Sequence, residues 1–342
     1  GYQDAFVARL NTDGSVVWAK SFGGTSVTSA HRIATRADGT TVVSGTFLGT
    51  ATFGGTSLYT TTAASRDVFV ASLNADGSVA WAKQFGGLGD KTGYGIATRA
   101  DGTAFVTGSF SGTAIFDGTT LTAVGVFQDA FVASLNTDGS VKWAMGFGSP
   151  FLAVGMDIAT RAESATVNGG AVVIGYYEHT VDVDGWSLTS VGLSDVFVVS
   201  LNIFDDVEWA KSFGGSGQDV GYAIATRADG TSVVTGYFHG TASFGGTTLT
   251  SAGSRDLFVM SLDTDGNVVW AKRFGGSGED YGLSIATCID GTALISGRFT
   301  NTVVFGTTSR ISAGQNDAFI TKLDSSGSVV WADSFGGTYD DM

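Results

Sequence analysis

A phrase is written six times along this chain: Asp-x-Phe-Val (Ile in the last copy), a turn after a leucine, then Val-x-Trp-Ala, beginning at Asp4, Asp67, Asp129, Asp195, Asp256 and Asp317. The copies are 61 to 66 residues apart across 342 residues. A fixed period of this length marks an array of like units that bury their cores against one another. The unbroken period predicts a single repeat domain over residues 1–342.

Within each unit the apolar runs are short and are broken by Asp-Gly. In the fourth, Tyr222-Ala223-Ile224-Ala225-Thr226 and Ser232-Val233-Val234-Thr235-Gly236 flank Asp229-Gly230, and Phe258 to Leu262 pairs with Val268 to Lys272 across Asp265-Gly266. Asp-Gly between alternating runs predicts hairpins with primed turns. Two hairpins per unit predict a four-stranded antiparallel blade, with the Ile-Ala-Thr strand innermost and the Val-x-Trp strand outermost. Six tryptophans, Trp18, Trp81, Trp143, Trp209, Trp270 and Trp331, share one outer-strand column, and Trp186 does not. An added Phe-Gly-Gly-Thr-x-Leu hairpin, with tips at Gly54-Gly55, Asp117-Gly118, Asp184-Gly185 and Gly245-Gly246, separates the second strand from the third. Loops between second and third strands, and between blades, leave a propeller on one face. Any binding site is expected on that elaborated face.

The fold class expected is therefore all-β, a β-propeller of four-stranded antiparallel blades. The outer hairpin occurs six times and the inner hairpin five, near residues 33, 96, 158, 224 and 285. Five complete blades plus an extra hairpin, and an incomplete six-bladed ring, both satisfy that count. An unclosed array exposes strand edges and invites self-association.

The chain resembles the bacterial seven-bladed β-propeller repeat family of secreted and cell-surface proteins. The resemblance rests on residues 129–144 (Asp-Ala-Phe-Val-Ala-Ser-Leu-Asn-Thr-Asp-Gly-Ser-Val-Lys-Trp-Ala), 274–282 (Phe-Gly-Gly-Ser-Gly-Glu-Asp-Tyr-Gly) and 101–108 (Asp-Gly-Thr-Ala-Phe-Val-Thr-Gly). It implies a fold and an extracellular or cell-surface location, and no activity. The Asp-Gly-Ser-Val-x-Trp-Ala phrase also looks like the tryptophan-docking repeat of quinoprotein dehydrogenases, but those enzymes assemble eight blades with a calcium site and often paired cysteines. This chain has too few repeats and one cysteine, Cys288, expected to be a sequestered thiol.

Composition excludes several partners. A net charge of −14 leaves no basic patch for phosphates, so nucleic acid and anionic membrane surfaces are not expected. No apolar run approaches the roughly 18 to 20 residues needed to cross a bilayer. Glycine is abundant (51) and proline nearly absent (1), as many tight turns between strands require. The chain begins at Gly1, partway through a repeat, and is read as a processed product or a segment of a longer parent.

Candidate sites follow from the columns. The aspartate opening each third strand is expected to cap backbone N–H groups. The Asn-Thr-Asp-Gly-Ser turns echo half a calcium loop but lack the twelfth-position Glu, so no metal is expected there. Loops between blades place acids beside glycines: Asp90, Asp219, Glu279 with Asp280, and Asp340 with Asp341. With Tyr222 and Tyr281 they form the candidate binding set Asp90, Asp219, Tyr222, Glu279, Asp280 and Tyr281, in which the acids offer acceptors for sugar hydroxyls or ligands for a hard cation and the tyrosines an apolar platform for a sugar ring. His31, His179 and His239 fall in three different columns, and no serine lies in a nucleophile elbow. The expected function is a non-catalytic structural or adhesive module that uses no cofactor and meets protein or glycan at a surface. The alternatives are a lectin-like propeller and a glycan-active enzyme. The irregular stretch Glu163 to Gly170 with Tyr176-Tyr177-Glu178-His179 is a second contact candidate.

Overall fold

A computed structural model describes residues 2–162 and 169–341. The described residues form strands and turns, and five runs of four antiparallel strands have the expected order, the third continuing into the hairpin Thr241–Phe244 and Thr247–Thr250 as a six-stranded sheet. The first runs Thr28–Thr35, Thr41–Phe47, Asp67–Leu73 and Val79–Phe85; the second runs Lys91–Thr98, Ala104–Phe110, Asp129–Leu135 and Val141–Phe147. The third comprises Ala153–Thr160, Ala171–Val183, Trp186–Leu201 and Val207–Gly215. The fourth comprises Val220–Thr226, Ser232–Phe238, Asp256–Leu262 and Val268–Phe274, and the fifth Asp280–Thr287, Ala293–Phe299, Asp317–Leu323 and Val329–Phe335. A further outer hairpin, Ala5–Leu10 with Val16–Gly24, precedes them. Contacts divide the chain into two compact units, Gly1–Gly155 and Met156–Met342.

The main hairpin turns differ from expectation. Gly14, Gly77 and Gly139 have φ of 84°, 80° and 81°, but the aspartates before them are not left-handed. Gly77 N–H donates to Asn74 O, and the register slips between Ser72 and Leu73, so the loop is a three-residue turn closed by a glycine bulge. The aspartate stabilises it locally: Asp76 Oδ1 accepts from Ser78 N–H at 2.8 Å and Ser78 Oγ at 2.6 Å. Primed turns occur instead at the added hairpins, where Asp117 and Gly118 (φ 42° and 97°) and Asp184 and Gly185 (49° and 86°) are both left-handed.

Within each unit, added hairpins join neighbouring repeats. Thr50–Phe53 leaves its own sheet and pairs with the tail of the preceding outer strand, Gly23 opposite Thr52 and Gly24 opposite Ala51. Gly214 and Gly215 receive Ser243 and Ala242 in the same way. A Cβ on Gly24 would collide with Thr50 O, which explains why the loop is Phe-Gly-Gly. The hairpin's phenylalanine then wedges between two others. Phe53 sits 5.3 Å from Phe22 of the preceding strand and 4.7 Å from Phe69 of its own third strand. Phe116 repeats this with Phe85 and Phe131, and Phe305 with Phe274 and Phe319. Each wedge is fully or almost fully buried, a contribution of about 2–3 kcal/mol from removed apolar area.

The tryptophan column does equivalent work on the outer strands. Trp18, Trp81, Trp209 and Trp270 donate their indole N–H to a carbonyl in the next repeat's outer turn: Ala75, Thr137, Thr264 and Ser325, at 2.9–3.0 Å. The indole lies against that turn's glycine, where a Cβ on Gly77 would sit 2.7 Å from Trp18. Asp-Gly is thus read twice, once by the turn and once by the neighbouring repeat. Arg36 and Arg227 reinforce the inner side, each donating Nε to the next inner turn, at Gly102 O (2.7 Å) and Gly291 O (3.0 Å).

Candidate functional site

The interblade loops bury two of the predicted aspartates and leave the third exposed. Asp219 is fully buried, with Oδ2 accepting Gly215 N–H at 2.7 Å and Oδ1 accepting His239 N–H at 3.3 Å. Asp280 is also fully buried, and its Oδ2 accepts Gly276 N–H at 2.9 Å. Both turn inward because the Gly-Gly segment, occupied with the added hairpin, leaves an N–H that needs a partner. They serve the loop rather than the surface. Burial, with Asp195 adding to it, pushes the Asp219 carboxyl up to about 7. Burial, with Asp256 and Glu279 adding to it, pushes Asp280 up to about 8. Asp90 lies in the first unit, exposed, where Oδ1 accepts the Arg66 N–H at 2.9 Å.

Tyr222, Tyr281 and Glu279 are brought together in the second unit, with neighbours that sequence reading did not select. Tyr237, on the second strand of its blade, lies 5.0 Å edge-on from Tyr281 and 5.8 Å from Tyr222. Tyr176 and Leu283 pack on the same group. Arg255, immediately before its third strand, enters this aromatic cluster with its guanidinium carbon 5.1 Å from the Tyr237 centroid and 6.0 Å from that of Tyr281. Its Nη1 donates to Tyr281 Oη at 2.7 Å and its Nη2 to Gln218 Oε1 at 3.0 Å. Tyr281 Oη–H donates onward to Glu279 Oε2 at 2.8 Å, and Glu279 Oε1 lies 3.5 Å from Arg255. Arg298 also sits over Tyr281, 4.5 Å from its centroid.

The backbone sets this register, since Arg255 O accepts Asp280 N–H at 2.8 Å and so fixes Tyr281 beside the guanidinium. Burial raises the Tyr237 phenol to about 12, helped by the nearby phenols and opposed by Arg255. Burial likewise raises Tyr222 and Tyr281, so all three stay neutral donors at physiological pH. Burial works against the charge on Arg255, but the Tyr281 hydroxyl, Tyr237 and Glu279 outweigh it and hold it protonated. Tyr237 and Tyr281 are a buried floor, while Arg255 and Glu279 keep 31% and 41% of their side chains exposed. The cluster therefore offers a pre-organised cation and a carboxylate on an aromatic base. A signal for the missed residues existed: the second-strand column that is Thr46 and Ser109 in the first unit becomes Tyr176, Tyr237 and Arg298 in the second.

The remaining candidates resolve as follows. The third-strand aspartates are buried caps: Asp67, Asp129, Asp195, Asp256 and Asp317 each accept a backbone N–H, from Thr61, Val124, Val191, Ala252 and Ala313. Tyr177 is fully buried and donates to Ser212 Oγ, whereas Tyr176 joins the tyrosine cluster. Residues 163–168 of the irregular stretch lie outside the described residues. Cys288 is a half-buried free thiol. Among the described residues no group of three or more His, Cys, Asp or Glu side chains is placed to hold a metal ion.

No protein-family model matches the chain. It is 20% identical, over 96% of its length, to an uncharacterized WD repeat-containing protein of Acanthamoeba polyphaga mimivirus, of which it covers 30%. It is 24% identical, over 98% of its length, to the regulatory protein FlaEY of Caulobacter vibrioides, of which it covers 36%. The chain thus spans about a third of the length of these curated relatives. Among solved structures it is similar to a protein of unknown function from Bacteroides caccae (TM-score 0.49, 12% identity, covering 99% of this chain and 94% of that one). It is also similar to the Pan2 WD40 domain of Neurospora crassa (TM-score 0.41, 10% identity, covering 96% and 91%).

Proposed function

We propose that this chain is a non-catalytic recognition scaffold that binds protein partners, and that the tyrosine–arginine cluster of the second unit is its docking patch. The observation that carries this reading is Arg255, fixed by Tyr281, Gln218 and Glu279 over a buried aromatic floor yet still part-exposed. Tyrosine and arginine anchors held rigid before contact are the chemistry of interface hot spots, because little side-chain entropy is lost on binding. The WD repeat-containing relative supports the reading at the level of architecture, since repeat arrays act by presenting extended surfaces. Cross-linking the purified chain to proteins of its own cells tests it. A partner captured by wild type and lost with Arg255→Ala, at an unchanged melting temperature, is the expected result. The same partner retained by both Arg255→Ala and Tyr222→Ala would remove the patch from consideration.

The finer reading is an adhesive module at the cell exterior. It draws on the resemblance of the repeat phrase to secreted and surface proteins, and protease accessibility on intact cells measures it. Self-association is favoured by the strand Ala5–Leu10, which is the edge of its sheet and exposes Phe6 and Leu10. Light scattering across a concentration series reads the oligomeric state.

A further inference from the structure

The first unit holds a cleft of about 280 Å³ whose lining includes Ser29, His31, Thr46, Arg66, Thr92 and Tyr94. Three features of it point to a ligand. Arg66 is exposed, and its guanidinium carries no hydrogen bond or ion pair among the described residues. Thr46 lines the cleft and is only 6% exposed, and its buried Oγ1 has no partner, an unfilled hydrogen-bonding need that a native interior seldom tolerates. His31 is fixed: Nδ1–H donates to Gly93 O at 2.9 Å and the imidazole stacks on Tyr94 at 5.5 Å. Burial lowers the His31 pKa, so the imidazole is neutral and Nε2 remains an acceptor.

We propose that this cleft binds an acidic sugar, a hexuronate unit, with Arg66 taking the carboxylate and Thr46, Ser29, Thr92 and His31 Nε2 taking the ring hydroxyls. A planar guanidinium matches a carboxylate in two parallel bonds. Hydroxyl groups that both donate and accept, beside one pure acceptor, suit a polyol; a bare carboxylate from a peptide would leave the acceptor and at least one hydroxyl unused. A volume near 280 Å³ admits one hexose ring and little more. The site shares no residue with the docking patch of the second unit, so either can fail alone.

Calorimetric titration of the purified chain with galacturonate and glucuronate, with galactose and glucose, and with acetyl-glutamate decides the matter. At least one uronate is expected to bind about tenfold tighter than its neutral counterpart, the contribution of one charge-assisted pair. Arg66→Gln should erase that difference. Thr46→Val should weaken the uronate several-fold without lowering the melting temperature, because it removes an unsatisfied hydroxyl. Arg255→Gln should leave uronate binding intact. The proposal is overturned if no uronate binds, if the neutral sugars bind equally well, if acetyl-glutamate matches the uronates, if Arg66→Gln or Thr46→Val binds like wild type, or if Arg255→Gln abolishes binding.

Discussion

The cleft of the first unit and the tyrosine cluster of the second occupy the same columns of the repeat but fill most of them differently. Arg66 corresponds to Arg255 and His31 to Tyr222, but Thr46 and Thr92 stand where the second unit has Tyr237 and Tyr281. With tyrosines the arginine is stacked, hydrogen-bonded and half covered; with threonines it is free over an open cleft. The loop acids differ in the same way. Asp219 and Asp280 correspond to Lys91, so the second unit sets a buried carboxyl beside Asp195 or Asp256, while the first sets an ammonium group near Asp67. One scaffold thus yields two surfaces because its strands are held by elements that leave these columns alone: the phenylalanine wedges, the tryptophan docks and the aspartate caps.

The largest effect expected from this difference is on pH dependence. Asp219 and Asp280 keep a proton in the folded state up to about 7 and about 8, whereas the unfolded chain releases it near 3.8. The folded form binds the extra proton, so the associated stability is full below about pH 4 and is lost as pH rises through 7 to 8. It amounts to roughly 4 kcal/mol for Asp219 and roughly 6 kcal/mol for Asp280. Urea unfolding at pH 5 and pH 8 should show the larger part of that fall in wild type and a much flatter profile in Asp219→Asn with Asp280→Asn. An unchanged slope in the double variant would mean that the second unit's carboxyl pairs do not differ from the rest. Next in size, Tyr281→Ala should cost about 3–4 kcal/mol by emptying a packed site, against under about 1 kcal/mol for Thr92→Ala at the matching position. Equal losses in denaturant titrations would break the contrast between a filled column and an open one. The smallest effect tests what the units share. Trp81→Phe and Trp270→Phe should each lose about 1–2 kcal/mol, from the indole N–H bond and part of the ring contact with the turn glycine, and by the same amount in both units. A clear inequality in their thermal melts would show that the docks are not interchangeable.

Strand order was legible from the sequence because the period repeats the same apolar runs and turns often enough to average out local ambiguity. The partners of the added hairpins were not, since their pairing to the preceding repeat runs through backbone groups at Gly24 and Gly215 that carry no side-chain signature. Turn type was misjudged at Asp76-Gly77 because the same dipeptide serves a primed turn and a glycine bulge, and only the register slip at Leu73 distinguishes them. In the candidate site, Tyr222, Tyr281 and Glu279 were found from their nearness in the chain to acidic loops. Arg255, Gln218 and Tyr237 sit in other columns or earlier loops, and folding alone brings them there. Asp219 and Asp280 were misread as surface acceptors, because hydrophilic residues in glycine-rich loops also arise where bare N–H groups need an internal acceptor.

The straps formed by the added hairpins have a mechanical corollary. Within each unit a strap holds down the outer strand of the repeat before it, through only two paired residues where it is longest, as at Gly23 and Gly24, and through the phenylalanine wedges Phe53, Phe116 and Phe305. Tension applied along the polypeptide would have to peel one strap before the blade beneath it could unravel. Lengthening should therefore proceed in discrete steps, each releasing about one repeat of slack.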